Sequence, residues 1–265
     1  MKINIMPCRY PLKDGEWPRL MQAAALAHGD EAHISQKPDS SDVHVFWGLR
    51  RPWGQKAMAD GKRCLVIERA YLGDRFLWLS MGFNGLNGHA DFRNANVPDD
   101  RWHRHWSNDI RPWRDGGEYA LVIGQVPGDA ALRGLNIYNW CQQQVYAAKK
   151  RYGRVLFRPH PLAKQKMQLD GAEYSERTLD EDMAGAAVVI TYNSNTAVDA
   201  VMAGVPAVAM DRGSMAWGVT SHEIDAPLYT GDRGDWGRRI AYAQWLPDEI
   251  SSGEAWGHLR HGANC

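Results

Sequence analysis

Apolar and polar positions along this chain fall into short runs, and changes in their period mark the elements. "KINIMP" (2–7) alternates apolar with polar residues and predicts a strand, and "EWPRLMQAAALAHG" (16–29) predicts a helix that stops at Gly29. "DVHVFWGL" (42–49) and "RCLVIERAYL" (63–72) read as buried strands separated by the helix-like "WGQKAMADG" (53–61), an order of β-α-β-β-α-β type. Between 73 and 117 the pattern lapses into Gly, Asn, Trp and Arg, and so long an irregular stretch inside a compact chain reads as a functional loop or a linker.

Regularity resumes with the apolar run "EYALVIGQ" (118–125), the amphipathic helix "NIYNWCQQQVYAAKKRYG" (136–153) and the strand "RVLFRPHP" (154–161). A short helix "LDEDMAGA" (179–186), a strand "AVVITYN" (187–193), a helix "SNTAVDAVMAG" (194–204) and a strand "VPAVAMD" (205–211) follow. Strands alternating with helices predict a parallel sheet covered on both faces, so the second half is expected to be Rossmann-like. The last amphipathic helix, "GDWGRRIAYAQWLPDEI" (234–250), is expected to end or kink at Pro247 and to cross back to the first half. Domains are expected at 1–117 and 118–265. There is no repeat at a solenoid period and no low-complexity tract.

Composition narrows the function classes. The 265 residues carry 31 basic and 31 acidic side chains, so any site for a polyanion or membrane surface is local. Four scattered cysteines, Cys8, Cys64, Cys141 and Cys265, form no CxxC pair and fit a reduced compartment, and no apolar run reaches the roughly 18 residues of a membrane span. A cytoplasmic protein without a membrane partner is expected. Twelve tryptophans, most beside Arg, Gly or Pro, suit packing at a domain seam or a stacking surface for a flat ligand.

In a doubly wound sheet, ligands bind beyond the carboxyl ends of the strands. Three such ends in the second half are polar: Arg158 and His160 in "VLFRPHP", Asn193, Ser194, Asn195 and Thr196 in "VVITYNSNT", and Gln125 and Asp129 in "VIGQVPGD". Amides of a helix start, with small hydroxyl residues beside them, suit an anion, and Asn193 or Ser194 equally suits a helix cap. "DED" at 180–182 starts a helix, where acids favour the dipole, and His103 and His105 lack a third ligand nearby, so no metal is expected.

The ordered set "GQVPGDAAL", "RPHP" and "TYNSNTAVDAVMAGVPAVAMD" resembles the nucleotide-sugar half of GT-B-type glycosyltransferases, in particular the capsular polysaccharide and Kdo transferase group, over about residues 119–213. The resemblance implies a GT-B-like α/β fold of two Rossmann-like domains facing a central cleft, and a nucleotide-sugar donor, with a UDP-sugar expected and no other cofactor. It implies further that His160, Ser194 and Thr196 contact donor phosphates, that Gln125 and Asp129 line the cleft, and that Asp199 reaches the ribose or base. "VIERAYLGDRFLWLSMGFNGLNG" is similar to an acidic stretch of the same group in Glu68, Tyr71 and Arg75, which makes Glu68 the expected catalytic carboxylate and Asp74 the second choice. Such a carboxylate accepts the proton of an attacking hydroxyl or attacks the anomeric carbon itself. A structural ion pair of Glu68 with Arg69 or Arg75 is the competing reading.

"LRRPWGQK" and "RWHRHWSNDIRPWR" gather Arg, Lys and Trp, which suits a phosphate backbone and a stacked base. Residues 68–92 also look like phage-encoded relatives of these transferases, some of which glycosylate hydroxymethylated pyrimidines in DNA. The expected acceptor is therefore a hydroxymethylated pyrimidine of phage DNA, flipped out to reach the site, with Arg50, Arg51, Trp53, Tyr71, Asn84, Asn87, Arg101, Trp102 and Arg104 as acceptor residues. The alternatives are a capsule-type saccharide acceptor, or a module that binds a nucleotide sugar or nucleic acid without catalysis.

Overall fold

The computed structural model describes residues 1–7, 16–49, 53–163 and 168–261, the side chain of His261 excepted. In chain order the elements are β1 (Lys2–Met6), α1 (Trp17–Ala27), β2 (Glu31–Ile34), β3 (Val43–Trp47), α2 (Trp53–Ala59), β4 (Cys64–Arg69), β5 (Leu79–Phe83), α3 (Asp100–His105), β6 (Tyr119–Ile123) and α4 (Ile137–Tyr152). They continue with β7 (Val155–Arg158), β8 (Glu173–Tyr174), α5 (Leu179–Ala184), β9 (Ala186–Thr191), α6 (Thr196–Met202), β10 (Ala207–Ala209), α7 (Gly234–Ala241), β11 (Gln244–Trp245), α8 (Pro247–Ser251) and α9 (Glu254–His261). The chain forms two compact units, one of Met1–Trp102 with Gly237–Cys265 and one of His103–Trp236.

The first unit is built on a six-stranded sheet of order β11-β5-β4-β3-β1-β2. Its β1–β4 part is parallel, while β5 runs antiparallel to β4 and β11 antiparallel to β5. One face carries Ile3, Ile5, Val43, Val45, Leu65 and Ile67, which pack with Trp17, Met21, Trp245 and Trp256. Each such side chain, fully buried, contributes about 1.5–3 kcal/mol by leaving water. Two expectations change here. The stretch 73–117 is not wholly irregular: "LSMGF" is a fully buried strand, hidden in the sequence because Ser80 and Gly82 interrupt the apolar run. The pattern over 234–250 is not one helix but α7, a two-residue strand and α8, because Gln244 and Trp245 pair with Ser80 and Leu79 of β5 and Pro247 starts a new helix.

The opposite face of the first sheet is more polar. Asn4, His44 and Cys64 stand side by side in the cross-strand register and all are buried. Neither ring nitrogen of His44 has a hydrogen-bond partner among the described residues, and burial, then the charge of Lys62, holds its pKa below the ordinary value. Burial does the same to His258, whose Nε2 lies 3.0 Å from the Phe92 carbonyl. A histidine whose folded pKa is lowered takes up its proton more readily in the unfolded chain, so stability is lost as pH falls below about 6.5. Thermal midpoints are expected to fall between pH 7.5 and pH 5, and His44→Gln is expected to flatten that slope. An unchanged slope in the variant would remove His44 as a source.

The second unit holds a five-stranded sheet of order β10-β9-β6-β7-β8, in which every pair is parallel. Val122, Val188, Ile190 and Val208 pack under α4 residues Trp140, Cys141 and Val145. Asn136 caps α4 by accepting from Tyr138 and Asn139 amides, and Gly153 stops it at φ 75°. Gly204, the glycine of the "GVP" turn, has φ 74° and lies so close to the Pro112 carbonyl that a Cβ would stand 2.0 Å from its oxygen. Glycine is required there by both conformation and space. Cys64 and Cys141 are buried free thiols, and Cys8 and Cys265 lie outside the described residues. Among the described residues no helix is long and apolar enough to cross a membrane.

Candidate functional site

The topology of the second sheet locates a site before any side chain is considered. From β6 the chain moves to β7 and β8 on one side and to β9 and β10 on the other, so the order reverses between β6 and β9. Loops leaving the two strands at such a point diverge and open a crevice at their carboxyl ends. Gln125 leaves β6 there and Asn193 leaves β9, and the two amides meet: Gln125 Nε2 donates to Asn193 Oδ1 at 2.9 Å, and the Asn193 backbone amide donates to Gln125 Oε1 at 3.3 Å.

Asn193 goes on to tie in two further loops. Its Nδ2 donates to the Ala131 carbonyl at 2.8 Å and to Asp211 Oδ1, beyond β10, at 2.9 Å. Asp211 Oδ1 also accepts from the Gly213 amide at 2.9 Å. The side chain of Asn193 is therefore buried in a bracing network and does not cap α6. The cap position is held by Asn195, without a capping bond from its side chain. Ser194 and Thr196 remain half-buried at the start of α6, with Ser194 Oγ donating to Thr196 Oγ1 at 3.1 Å and accepting from the Thr196 amide at 3.2 Å. Asp199, one turn further, is also half-buried. Asp129 caps the short 3-10 turn Ala130–Leu132 by accepting from the Ala131 amide at 2.8 Å. Asp211 is the member of this network that motif reasoning missed, and its place at the carboxyl end of an apolar strand was the available signal.

At the end of β7 the two predicted residues differ. Arg158 Nη1 pairs with the buried carboxylate of Asp182 at 2.8 Å, which also receives Arg177 at 3.1 Å and the Ser175 hydroxyl at 2.6 Å. Of the "DED" residues, Glu181 forms the capping box of α5 with Thr178 and Asp182 turns inward to this pair. His160 is half-buried, and its Nδ1 accepts from the Leu162 amide at 3.1 Å. That bond fixes the tautomer of the neutral ring: Nδ1 holds the lone pair, so Nε2 carries the hydrogen and is a donor.

In the first unit Glu68 stands half-buried near the carboxyl end of β4, opposite Ser80 in the register. Its charge adds to burial in raising the pKa of Tyr71, whose ring packs edge-on to Phe92. Arg69 lies with its guanidinium 4.3 Å over the ring of Phe76, and Arg75 Nε donates to the Ala70 carbonyl at 3.3 Å. Asp74 accepts from the Phe76 amide at 2.8 Å and shapes an exposed turn. Asn84, at φ 55°, closes the β4–β5 pair by accepting from the Cys64 amide, and Asn87, at φ 50°, opens a 3-10 turn. Trp53 packs against Met6, Phe46 and Cys64.

Of the aromatic and basic residues from 101 to 114, Arg101, Trp102 and Trp106 are buried, and His103, Arg104 and Arg111 are exposed. Arg101 is 1% exposed and Trp102 is buried, with Trp102 against Gly237. Arg101 donates to both Glu249 oxygens, at 2.5 and 2.9 Å, and to the carbonyls of Ala241 and Gln244. In the second unit Trp113 donates to the Gly231 carbonyl, and Arg114 to the carbonyls of Met183 and Ala184. Arg104 is exposed in the last turn of α3, while Arg50 and Arg51 lie outside the described residues.

No protein-family model and no curated protein matches this sequence. Solved structures that share its fold include two transferases. The β-Kdo 2,4 transferase of Thermosulfurimonas dismutans KpsC superposes with a TM-score of 0.58 at 16% identity, covering 92% of this chain and 90% of that one. The β-Kdo 2,7 transferase of the same KpsC gives a TM-score of 0.52 at 13% identity, over 97% of this chain and 99% of that one. The chain therefore has a Rossmann-like α/β fold of the kind these two transferases have.

Proposed function

We propose that this chain is a glycosyltransferase that moves a sugar from a nucleotide sugar to a hydroxyl of a saccharide acceptor. The observation that carries the reading is the Gln125–Asn193 pair, which braces the crevice at the reversal point of a parallel sheet. Ser194 and Thr196 follow β9 and His160 follows β7, the strands on either side of β6, and they offer two hydroxyls and an Nε2–H from which a diphosphate accepts hydrogen bonds. The fold shared with two Kdo transferases supports a sugar as the transferred group and a saccharide as its acceptor.

In this reading the chain's own groups divide the work. Ser194, Thr196 and His160 hold the donor phosphates, and Gln125, Asn193 and Asp211 keep three strand-end loops in register. Glu68 accepts the proton of the acceptor hydroxyl as its oxygen bonds to the anomeric carbon, and the bond from that carbon to the nucleotide breaks with its electron pair on the leaving phosphate. Asp74 is the second candidate for the base.

The saccharide acceptor is preferred to modified DNA on a physical ground. Arg101, Trp102, Trp113 and Arg114, the two ends of the basic and aromatic motif, are engaged inside their own units and offer little to a phosphate backbone. Incubation with a panel of nucleotide sugars, uridine diphosphate sugars first, and with saccharide and hydroxymethylated-DNA acceptors tests the reading by mass spectrometry. A sugar-sized mass gain on a saccharide is expected. A gain on DNA alone would move the acceptor, and the absence of both transfer and donor hydrolysis across the panel would overturn the reading.

A further inference from the structure

Beyond β10 two rings lie flat on one another outside every motif discussed so far. The centroids of Trp217 and His222 are 3.5 Å apart and their planes differ by 6°. Aromatic neighbours in proteins ordinarily choose offset or edge-on arrangements with wider centroid spacings, so a face-to-face pair is an unusual local structure. Trp217 is half-buried and His222 is exposed, which leaves the imidazole as the outer layer of the stack.

The outer ring is held in place by its surroundings. His222 Nδ1 lies 3.3 Å from the carbonyl of Ala209, the last residue of β10. A carbonyl only accepts, so Nδ1 carries the hydrogen in the neutral ring. The preceding residue, Ser221, runs beside β10, giving its carbonyl to the Ala209 amide at 2.9 Å and its amide to the Ala207 carbonyl at 3.0 Å. Its hydroxyl is also fixed, donating to the Pro227 carbonyl and accepting from the Tyr229 amide. A planar ring oriented on both its edge and its inner face binds a flat partner with little further loss of freedom.

The stack also stands in the right place. Asp211, two residues beyond Ala209, accepts from Asn193, and Ser221 pairs with Val208 on the side of β10 away from β9, so the stack lies about two strand spacings, roughly 10 Å, from β9 and its end of the braced crevice. We propose that the outer face of His222, backed by Trp217, is the platform on which the base of the nucleotide donor stacks. The inference rests on the donor-binding reading above and adds to it the residues that meet the base. A stacked base needs only a π-face, so the platform accepts any nucleobase, and selectivity lies with other contacts.

Calorimetric titration with uridine 5′-diphosphate, cytidine 5′-monophosphate and inorganic pyrophosphate tests the platform on the wild type, His222→Ala and His222→Phe. His222→Ala is expected to bind both nucleotides roughly 5- to 150-fold more weakly and pyrophosphate unchanged, while His222→Phe, which keeps a flat ring, binds nucleotides as the wild type does. Because His222 is exposed, its loss leaves the fold intact, and unchanged thermal midpoints verify this. Wild-type nucleotide affinity in His222→Ala, or equal weakening for pyrophosphate, overturns the platform and leaves donor binding standing. A wild-type protein that binds none of the three ligands overturns both.

Discussion

Glu68→Gln is expected to slow sugar transfer by roughly 10²- to 10⁴-fold, the contribution of a well-placed general base, while nucleotide binding stays at its wild-type strength. The two halves of that expectation have separate origins. Glu68 is not among the groups proposed to hold the donor phosphates, so removing its charge leaves those groups unchanged. The amide of Gln has nearly the shape of the carboxylate and keeps its hydrogen bonds as acceptor through Oε1, but it cannot take up a proton at neutral pH. Of the two partners in the competing ion-pair reading, Arg69 has its guanidinium over the Phe76 ring at 4.3 Å and Arg75 Nε donates to the Ala70 carbonyl at 3.3 Å. Single-turnover transfer rates, measured beside calorimetric donor affinities, check the prediction. Full transfer in the variant would move the base to Asp74 or away from this loop, and an equal loss of donor binding would make Glu68 a structural group.

The residues that the sequence made legible are those whose role is local. Strand periods, the glycine stop at Gly29 and the alternation of β6, β7, β9 and β10 with their helices follow from neighbours within a few positions, and all of the second sheet but the two-residue β8 was readable from them. The pairing of Gln125 with Asn193 was also within reach, because both leave apolar strands as polar residues in a fold whose ligands gather at such ends. What escaped were partners distant in sequence. Asp211 joins Asn193 only after β10 has docked on β9, and β5 and β11 pair across more than 160 residues with too few apolar positions to announce a strand. The basic and aromatic stretch misled for the same reason. Arginine beside tryptophan describes a nucleic-acid surface and a buried cation stacked on a ring equally well, and only the position of Glu249 separates the two.

Arg101 is where that difference has its largest energetic consequence. Arg101→Ala is expected to destabilise the first unit by about 3–5 kcal/mol, the cost of leaving a buried carboxylate without its counter-charge, and Glu249→Ala by less, because Glu254 Oε1 remains 3.7 Å from Arg101 Nη1. The geometry favours the upper part of that range. The guanidinium is 1% exposed, meets both carboxylate oxygens, and lies 4.1 Å over the ring of Trp245, so water cannot replace what is removed. Glu249 has a second duty, accepting from the Leu246 amide at the start of α8, and its loss frees that helix end as well. Because the partners share one network, the double variant Arg101→Met with Glu249→Leu is expected to be more stable than the sum of single losses implies, with apolar side chains filling the space. Burial also shields the pair from ions, so the loss should hardly change between low and high salt, unlike that of an exposed pair. Urea unfolding of the single and double variants at two salt concentrations measures all of this. Were Arg101→Ala to unfold like the wild type while weakening an acceptor or a duplex, Arg101 would be a surface contact and the basic motif would regain its claim to a nucleic acid.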